Sequence, residues 1–315
     1  MKKRIFLLLK ILLGIACFFF IWIKLNNQFT EEKTKLFFET LSNKNNLYIF
    51  IIVVFMLFPN WLIESYKWQL ISSVIEKIPY RSAIKGVFSG ICIGNLTPGR
   101  MGEFAGKLIY FKPENRSKIT VTHFVCGSTQ LFVTVVFGIL SLFIFMNTKN
   151  NNEQFIVFAF LISGVALFIL GLILLKMDKI YVWISNRKWL SKFNLGAVVY
   201  PKSLLIKLLL YSIVRYLVFS GQYVFLLQIC GAKADYFHLL MPVSISFMLT
   251  SIIPMISFIE VAIRAGIALV VFADYLSNDL LIVTASSAML LINIIIPSVI
   301  GYFIILGTKM KLKQV

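Results

Sequence analysis

Hydrophobic residues in this chain come in long unbroken runs, separated by short stretches in which polar and charged residues concentrate. Eight such runs lie at about 5–23, 47–66, 83–110, 119–146, 154–175, 203–229, 238–273 and 280–306. A helix needs about 20 apolar residues to cross a bilayer, and six of the runs fit a single crossing. The other two, 83–110 and 238–273, are interrupted near their middles by Pro98 and Pro254.

The composition indicates an all-α integral membrane protein. Of the 315 residues, 59% are hydrophobic and 14% are charged, whereas soluble domains have roughly 45–50% apolar and about 25% charged residues. The mean hydropathy is +0.88. Membrane β-barrels alternate apolar and polar residues, so continuous runs predict helices. We expect one polytopic domain over 1–315, in which the basic start 1–4 precedes a retained first span rather than a cleaved signal peptide.

The distribution of basic residues predicts how the chain is threaded. If both interrupted runs enter and leave the bilayer on the same side, 21 Lys and Arg residues fall in cytoplasmic segments and 6 in outer segments, as the positive-inside rule requires. We therefore expect cytoplasmic termini, about six full crossings and two re-entrant hairpins, 83–110 from the cytoplasm and 238–273 from outside. Opposed broken hairpins are typical of inverted-repeat transporters.

Two hydrophilic connections complete the predicted topology. Residues 176–202 mix aromatic with basic side chains, which predicts a cytoplasmic amphipathic segment lying on the anionic leaflet. The outer connection 24–46 is polar and mixed in charge. Neither connection is long enough for a separate folded domain.

The two interruptions share one pattern, a proline followed by a carboxylate and then by a cation four residues later. The residues are Pro98, Glu103 and Lys107 in the first hairpin, and Pro254, Glu260 and Arg264 in the second. Proline breaks a helix, and residues i and i+4 of the restarted helix share a face, which predicts a carboxylate–cation pair at each tip. The N-terminus of that helix suits an anion such as a lipid phosphate, with Arg100 as a bidentate partner.

Each pair can also be an internal ion pair that only neutralises a buried charge. A charge at mid-depth costs at least about 2.5–3.5 kcal/mol on insertion scales, so two matched pairs favour a functional role. Gly99 and Gly102 either shape the turn or let a ligand approach the backbone closely.

Polar residues also interrupt the other runs. Asn60, Glu64 and Lys67 fall on one helix face. Glu64 either reaches the cytoplasmic boundary or faces a central cavity. Arg215 is interpreted as a cavity cation, or else as a structural partner of Glu260 or of a carbonyl group.

Four further residues are given structural roles, Trp61 and Trp68 as anchors at the membrane–water interface, and Gln130 and Asn293 in interhelical hydrogen bonds. The predicted substrate-binding residues are Asn95, Arg100, Glu103, Lys107, Arg215, Glu260, Arg264 and Glu64. The predicted hairpin breaks are Pro98, Gly99, Gly102 and Pro254.

The sequence has no recognisable catalytic or metal-binding pattern. His123 and His238 are isolated, and the four cysteines lie in apolar segments without a Cys-x-x-Cys pair. The Gly-x-x-x-x-Gly-Lys-Ser/Thr loop of nucleotide-hydrolysing proteins does not occur. We expect no enzymatic activity, no cofactor and no metal. The net charge of +18 is explained by topology and by attraction to anionic lipids rather than by nucleic-acid binding.

Nearly the whole chain resembles the lysylphosphatidylglycerol synthase transmembrane-region family, also called flippase-like membrane proteins. The resemblance rests on residues 60–68, on the Pro-Gly-Arg-x-Gly-Glu motif at 98–103 with Asn95 before it, and on 254–264. It implies lipid translocation across the bacterial plasma membrane. In two-part relatives a soluble aminoacyl transferase domain makes the lipid. That half has no counterpart in this sequence, so synthesis of lysylphosphatidylglycerol is not expected.

The leading hypothesis is a flippase-like transporter for an anionic or zwitterionic lipid, either a phospholipid or a polyprenyl-phosphate-linked lipid. Its headgroup binds among the polar residues while its tails stay in the bilayer. An alternative is a non-transporting accessory subunit that presents lipid to a separate glycosyl- or aminoacyl-transferase. A membrane-embedded transferase is a weaker alternative because no convincing general base is present.

The predicted threading can be tested by labelling engineered cysteines with a membrane-impermeant reagent in intact cells. Ser277→Cys should be labelled from outside, whereas Lys192→Cys should be labelled only after the membrane is opened. The parent protein measures background labelling of the native cysteines. The reverse labelling pattern would refute the assigned orientation.

Overall fold

A computed structural model describes most of the chain. The described residues are 31–97, 100–148, 198–252, 260–276 and 278–308, together with the single positions 19, 164, 165 and 171. The predicted spans 5–23 and 154–175 and nearly all of the connection 176–202 lie outside these ranges. Within them the chain forms helices joined by turns and no strand, which confirms the all-α class.

The described helices are, in chain order, α1 Glu31–Leu41, α2 Lys44–Phe55, α3 Leu57–Ser72, α4 Tyr80–Asn95, α5 Glu103–Leu108, α6 Arg116–Thr148, α7 Lys202–Ile229, α8 Tyr236–Ile252, α9 Glu260–Phe272, α10 Asp279–Leu290 and α11 Ile296–Gly307. A short 3-10 turn, Pro113–Asn115, precedes α6. A π-helical turn, Leu291–Ile295, joins α10 to α11.

Four continuous helical segments are long and apolar enough to cross a membrane. They are Lys44–Ser72, Pro113–Phe145, Lys202–Ile229 and Asp279–Gly307, each of 28 to 33 residues. At about 1.5 Å per residue each exceeds the roughly 30 Å hydrocarbon core of a bilayer. They match four of the predicted single crossings, and the protein is a multi-pass membrane protein.

The first interrupted run folds back on itself. A Cβ atom on Gly94 or Gly90 of α4 would meet Glu103 of α5, and one on Gly86 would meet the backbone of Lys107. Later residues of α5 therefore contact earlier residues of α4, which shows that the two helices are antiparallel. The six residues of α5 span only about 9 Å, too short for a crossing. The predicted breaks Pro98 and Gly99 lie outside the described residues.

The second interrupted run is described on both sides of its tip. The helices α8 and α9 pack against each other. The tip itself, 253–259 with Pro254, lies outside the described residues, as does the side chain of Glu260.

Glycines set the closest helix crossings. A Cβ atom on Gly106 of α5 would overlap the backbone of Ser89 and Gly90 on α4, and one on Gly301 of α11 would overlap the carbonyl oxygen of Phe88. Between α6 and α8, a Cβ atom on Gly138 would overlap the side chain of Met248. These small residues let backbones approach closely, which is how helices associate tightly in lipid.

The helices form two groups with matching contacts. The first is α3, the pair α4–α5 and α6, and the second is α7, the pair α8–α9 and α10–α11. Helix α3 packs against α7, while α4 packs against α11 and α8 packs against α6. The first helix of each pair therefore packs against the last helix of the other group.

The outer connection 24–46 contains a short helix, α1, that its polar, mixed-charge sequence does not predict. This helix packs against α10 and α2. An isolated helix of 11 residues is marginal in water, so the packing contacts, which the polarity of the sequence does not reveal, stabilise it.

The Gly301 crossing predicts a large effect from a single methyl group. Gly301→Ala should lower the melting temperature of the purified protein in detergent, because overpacking costs typically about 1–3 kcal/mol. Gly127→Ala in α6 is the matched control, since a Cβ atom there meets nothing within 4 Å. Equal melting temperatures for the two variants would contradict the close packing of α11 on α4.

Candidate functional site

Four polar side chains lie at the middle of the four long helical segments. Asn60, Gln130, Arg215 and Asn293 are each within two residues of the centre of their segment, or within about 3 Å along the helix axis. Arg215 Nε donates to Asn60 Oδ1 at 2.9 Å, and Asn60 Nδ2 donates to Asn293 Oδ1 at 2.8 Å. Arg215 Nη1 also donates to Gln130 Oε1 at 3.4 Å. The mid-depth polar residues thus form one connected chain.

Glu64 joins this chain to a buried ion network. Its Oε2 lies 3.1 Å from Arg215 Nη1 and 3.4 Å from Lys67 Nζ, and its Oε1 lies 4.0 Å from Lys107 Nζ. Lys107 pairs with Glu103 Oε1 at 2.9 Å. Lys67 is 0% exposed, Lys107 is 1% exposed and Glu64 is 7% exposed, so each charge relies on its partners rather than on water.

Aromatic and imidazole groups surround these cations. Lys107 Nζ lies 3.2 Å from His123 Nδ1 and 4.9 Å from the centre of the Trp68 ring. The Arg215 guanidinium lies 5.0 Å from the Trp61 ring. The prediction that Trp61 and Trp68 are interface anchors is wrong: both rings are buried between helices, where their π faces stabilise the cations.

The turn after α4 holds Arg100 in an unusual backbone conformation. Its φ angle is +57°, in the left-handed region that costs a non-glycine residue roughly 1–2 kcal/mol. Arg100 Nη2 donates to Asn95 Oδ1 at 3.4 Å, and Asn95 Nδ2 in turn donates to Ser298 Oγ. The Gly102 amide donates to Thr97 Oγ1 at 2.7 Å, so the turn is closed by its own hydrogen bonds and this amide is not offered to a ligand.

A cavity of about 250 Å³ lies between the helices at this depth. Three arginines line it, Arg100 from the turn after α4, Arg215 from α7 and Arg264 from α9. Its remaining lining includes the amides Asn60, Gln130 and Asn293 and the aromatic rings Trp61, Phe219, Tyr223 and Phe247. Among the described lining residues none is acidic. The cavity is suited to an anion with an apolar attachment.

The structure divides the predicted substrate-binding residues into two sets. Arg100, Arg215 and Arg264 line the cavity, with Asn95 directly behind Arg100. Glu64, Glu103 and Lys107 belong instead to the buried ion network and are not among the residues that line the cavity. The side chain of Glu260 lies outside the described residues.

Two local interpretations are resolved by these contacts. The pair of Glu103 with Lys107, expected from their spacing, forms in α5. Glu64 is buried rather than at the cytoplasmic boundary, and it supplies the ionic partner of Arg215.

Several residues of this region were not predicted as part of it. Lys67, which the positive-inside count places in a cytoplasmic segment, is buried against Glu64. His123, which is isolated in the sequence, lies 3.2 Å from Lys107 Nζ. Gln130 and Asn293 make the predicted interhelical hydrogen bonds but also line the cavity. Their position at the centre of long apolar segments is the sequence signal that could have identified them.

Comparison with known proteins gives one family. The sequence model of the family described as the lysylphosphatidylglycerol synthase TM region matches residues 7–197, which is more than half of the chain. The match includes Asn95, Arg100 and the ion pair of α5 but ends before Arg215 and Arg264. No curated protein matches the sequence.

The network predicts that Glu64 is a major determinant of stability. Glu64→Gln should lower the free energy of unfolding by about 3–5 kcal/mol, because it leaves buried cations without their shared carboxylate. The measurement is thermal or denaturant unfolding of the purified protein in detergent. Glu39→Gln on the exposed face of α1 is the matched control.

A second substitution tests the same cause from the other side. Adding Lys67→Met to Glu64→Gln removes one of the stranded charges and should recover part of the lost stability. A Glu64→Gln variant as stable as Glu39→Gln would show that the network does not hold the helices together.

Proposed function

Because the chain belongs to the lysylphosphatidylglycerol synthase TM region family, we propose that it is a flippase-like transporter of an anionic or zwitterionic lipid. The cargo is a phospholipid or a polyprenyl-phosphate-linked lipid, and it crosses the plasma membrane. The headgroup passes through the cavity lined by Arg100, Arg215 and Arg264, while the acyl or prenyl tails remain in the bilayer.

One observation carries this proposal, the convergence of three arginines from separate elements on one cavity between the membrane helices. Charged residues at membrane depth are rare and generally mark a pathway or binding site. The planar guanidinium matches the oxygens of a phosphate group and binds them through paired hydrogen bonds. A lipid headgroup is the phosphate compound most available to a cavity between membrane helices.

The arrangement of the helices supports a transport cycle. The two groups, α3–α6 and α7–α11, make matching contacts, and each contains a pair of consecutive helices that pack against each other. Transporters built from inverted repeats bind substrate near the midplane between such broken helices, and one repeat rocks against the other to expose the site alternately. In this proposal both hairpins are re-entrant, α4–α5 from the cytoplasm and α8–α9 from outside.

The buried ion network has a positioning role in this proposal. Glu64 and Asn60 together fix two nitrogens of Arg215, which leaves the guanidinium plane oriented before the headgroup arrives. Preorganised groups lose less entropy on binding than mobile ones. Glu103 and Lys107 neutralise each other within α5, beside the cavity.

The transport proposal is tested by lipid movement in proteoliposomes. The full chain is reconstituted with acyl-labelled phosphatidylglycerol or phosphatidic acid, and the label in the outer leaflet is quenched chemically. The parent protein should make the inner-leaflet label accessible, and Arg100→Ala should slow this at least about tenfold, the equivalent of 1.4 kcal/mol.

Arg81→Ala is the matched control, since Arg81 is exposed on the same hairpin and does not line the cavity. It should move lipid at the parental rate. A parent protein that binds lipid but moves none, with or without an ion gradient, would refute transport and support the accessory subunit that presents lipid to a transferase. Co-purification with a transferase would then identify that role.

A further inference from the structure

The balance of charge around the cavity points to the class of headgroup. We infer that the cavity takes a headgroup with about two negative charges on phosphate oxygens, either a phosphomonoester or a pyrophosphate. Singly charged phosphodiesters and aminoacylated, cationic headgroups fit it less well. The inference rests on the proposed function in one respect, namely that the ligand of the cavity is a lipid.

The first step is the charge count over the cavity and the ion network beside it. The described cations are the lysines Lys67 and Lys107 and the arginines Arg100, Arg215 and Arg264, and the described carboxylates are Glu64 and Glu103. The two lysines equal the two carboxylates in number, so only the arginines contribute to the net charge. Counting Glu260 as ionised as well, one helical turn before Arg264 in the sequence, still leaves +2.

An uncompensated charge of this size is unfavourable inside a membrane protein. Ions removed from water without a counter-charge cost several kcal/mol each, and arginine cannot escape by losing its proton. A bound anion of about −2 would bring the region to neutrality. A phosphomonoester carries about −1.5 to −2 at pH 7, whereas the phosphodiester of an ordinary phospholipid carries only one negative charge.

The second step is the supply of hydrogen-bond donors. Arg215 uses Nε for Asn60 and Nη1 for Glu64 and Gln130, and Arg100 uses Nη2 for Asn95. Over the described part of the chain, the other nitrogens of these two guanidinium groups have no protein acceptor. Donors that point at a cavity without acceptors of their own favour a ligand with several anionic oxygens.

The shortage of acidic side chains around the cavity disfavours a cationic headgroup. A lysyl headgroup carries two ammonium groups that need carboxylate partners, and no acidic side chain is among the described residues that line the cavity. Glu64 and Glu103 are already shared among Lys67, Lys107 and Arg215. Placing further cations beside three arginines would add repulsion without a partner.

The size of the cavity agrees with a compact headgroup. Its volume of about 250 Å³ is many times that needed to hold one water molecule. One or two phosphate groups fit in that space together with some of the attached chain, and the rings of Trp61, Phe219, Tyr223 and Phe247 offer that chain an apolar wall.

The test compares headgroups on identical tails. Dioctanoyl phosphatidic acid, phosphatidylglycerol and lysylphosphatidylglycerol are titrated against the full chain in phosphatidylcholine nanodiscs. Phosphatidic acid should bind at least about tenfold more tightly than phosphatidylglycerol, and lysylphosphatidylglycerol should bind most weakly. Farnesyl phosphate and farnesyl pyrophosphate form a second matched pair, and whichever binds more tightly distinguishes the monoester from the pyrophosphate.

Variants link the preference to the arginines. Arg100→Gln and Arg264→Gln should each weaken phosphatidic acid binding about tenfold and shrink its advantage over phosphatidylglycerol, while Arg81→Gln should change neither. Melting temperatures show whether each variant is folded. Two cavity variants are used so that the test can still be carried out if one of them does not fold. Equal binding of phosphatidic acid and phosphatidylglycerol, or tighter binding of the lysylated lipid, would overturn the inference.

Failure of the inference is distinguishable from failure of transport. If the protein moves phosphatidylglycerol in an Arg100-dependent way but does not prefer phosphatidic acid, the inferred headgroup class is wrong and the transport proposal is supported. If the protein binds phosphatidic acid tightly through Arg100 but moves no lipid, the inferred headgroup class is supported and the transport proposal is refuted.

Discussion

Electrostatic neutralisation in a water-poor interior is the constraint on which the site depends. Arg215 lies at the centre of its span, and Glu64, Asn60 and Gln130 each contact its guanidinium. Lys67 and Lys107 share the same carboxylate, so one acidic side chain connects three cations from three helices. Removing a partner from such a buried group leaves charges that water cannot reach. The positions of α3, α5 and α7 are therefore coupled electrostatically.

Close helix packing makes that arrangement possible. In lipid, helices gain little from hydrophobic burial against one another, so association relies on van der Waals contact and polar bonds. Gly106 and Gly301 bring α5 and α11 onto α4, and Gly138 brings α6 onto α8. Gly90 and Gly94 of α4 lie directly against Glu103 of the ion network, so the close packing of α4 on α5 also places that carboxylate. The left-handed conformation of Arg100 is held by hydrogen bonds on both sides of it, since the Arg100 amide donates to the Thr97 carbonyl oxygen and the Gly102 amide donates to Thr97 Oγ1.

The proposed cargo and the proposed mechanism both follow from a positive excess that the protein does not neutralise itself. A doubly charged phosphate headgroup would supply the missing counter-charge only while it is bound. Occupied and empty states would then differ in net charge at the midplane, so a headgroup that enters the cavity would change the energy of the elements that line it, among them the turn at Arg100 and the helices α8 and α9. That coupling is what a rocking-repeat transporter requires.

The sequence by itself determined the four described membrane helices, the all-α class and the pair of Glu103 with Lys107, because apolar length and i, i+4 spacing are local properties of a helix. Only the tertiary structure decided which polar residues meet. Asn60 contacts Arg215 and Asn293, which lie 155 and 233 positions away. The tertiary structure also placed Lys67 in the interior and the rings of Trp61 and Trp68 against buried cations. It placed Glu64 and Lys107 in a network beside the cavity rather than in the cavity wall. No spacing rule encodes such contacts, since they depend on the packing of helices that are distant in the chain.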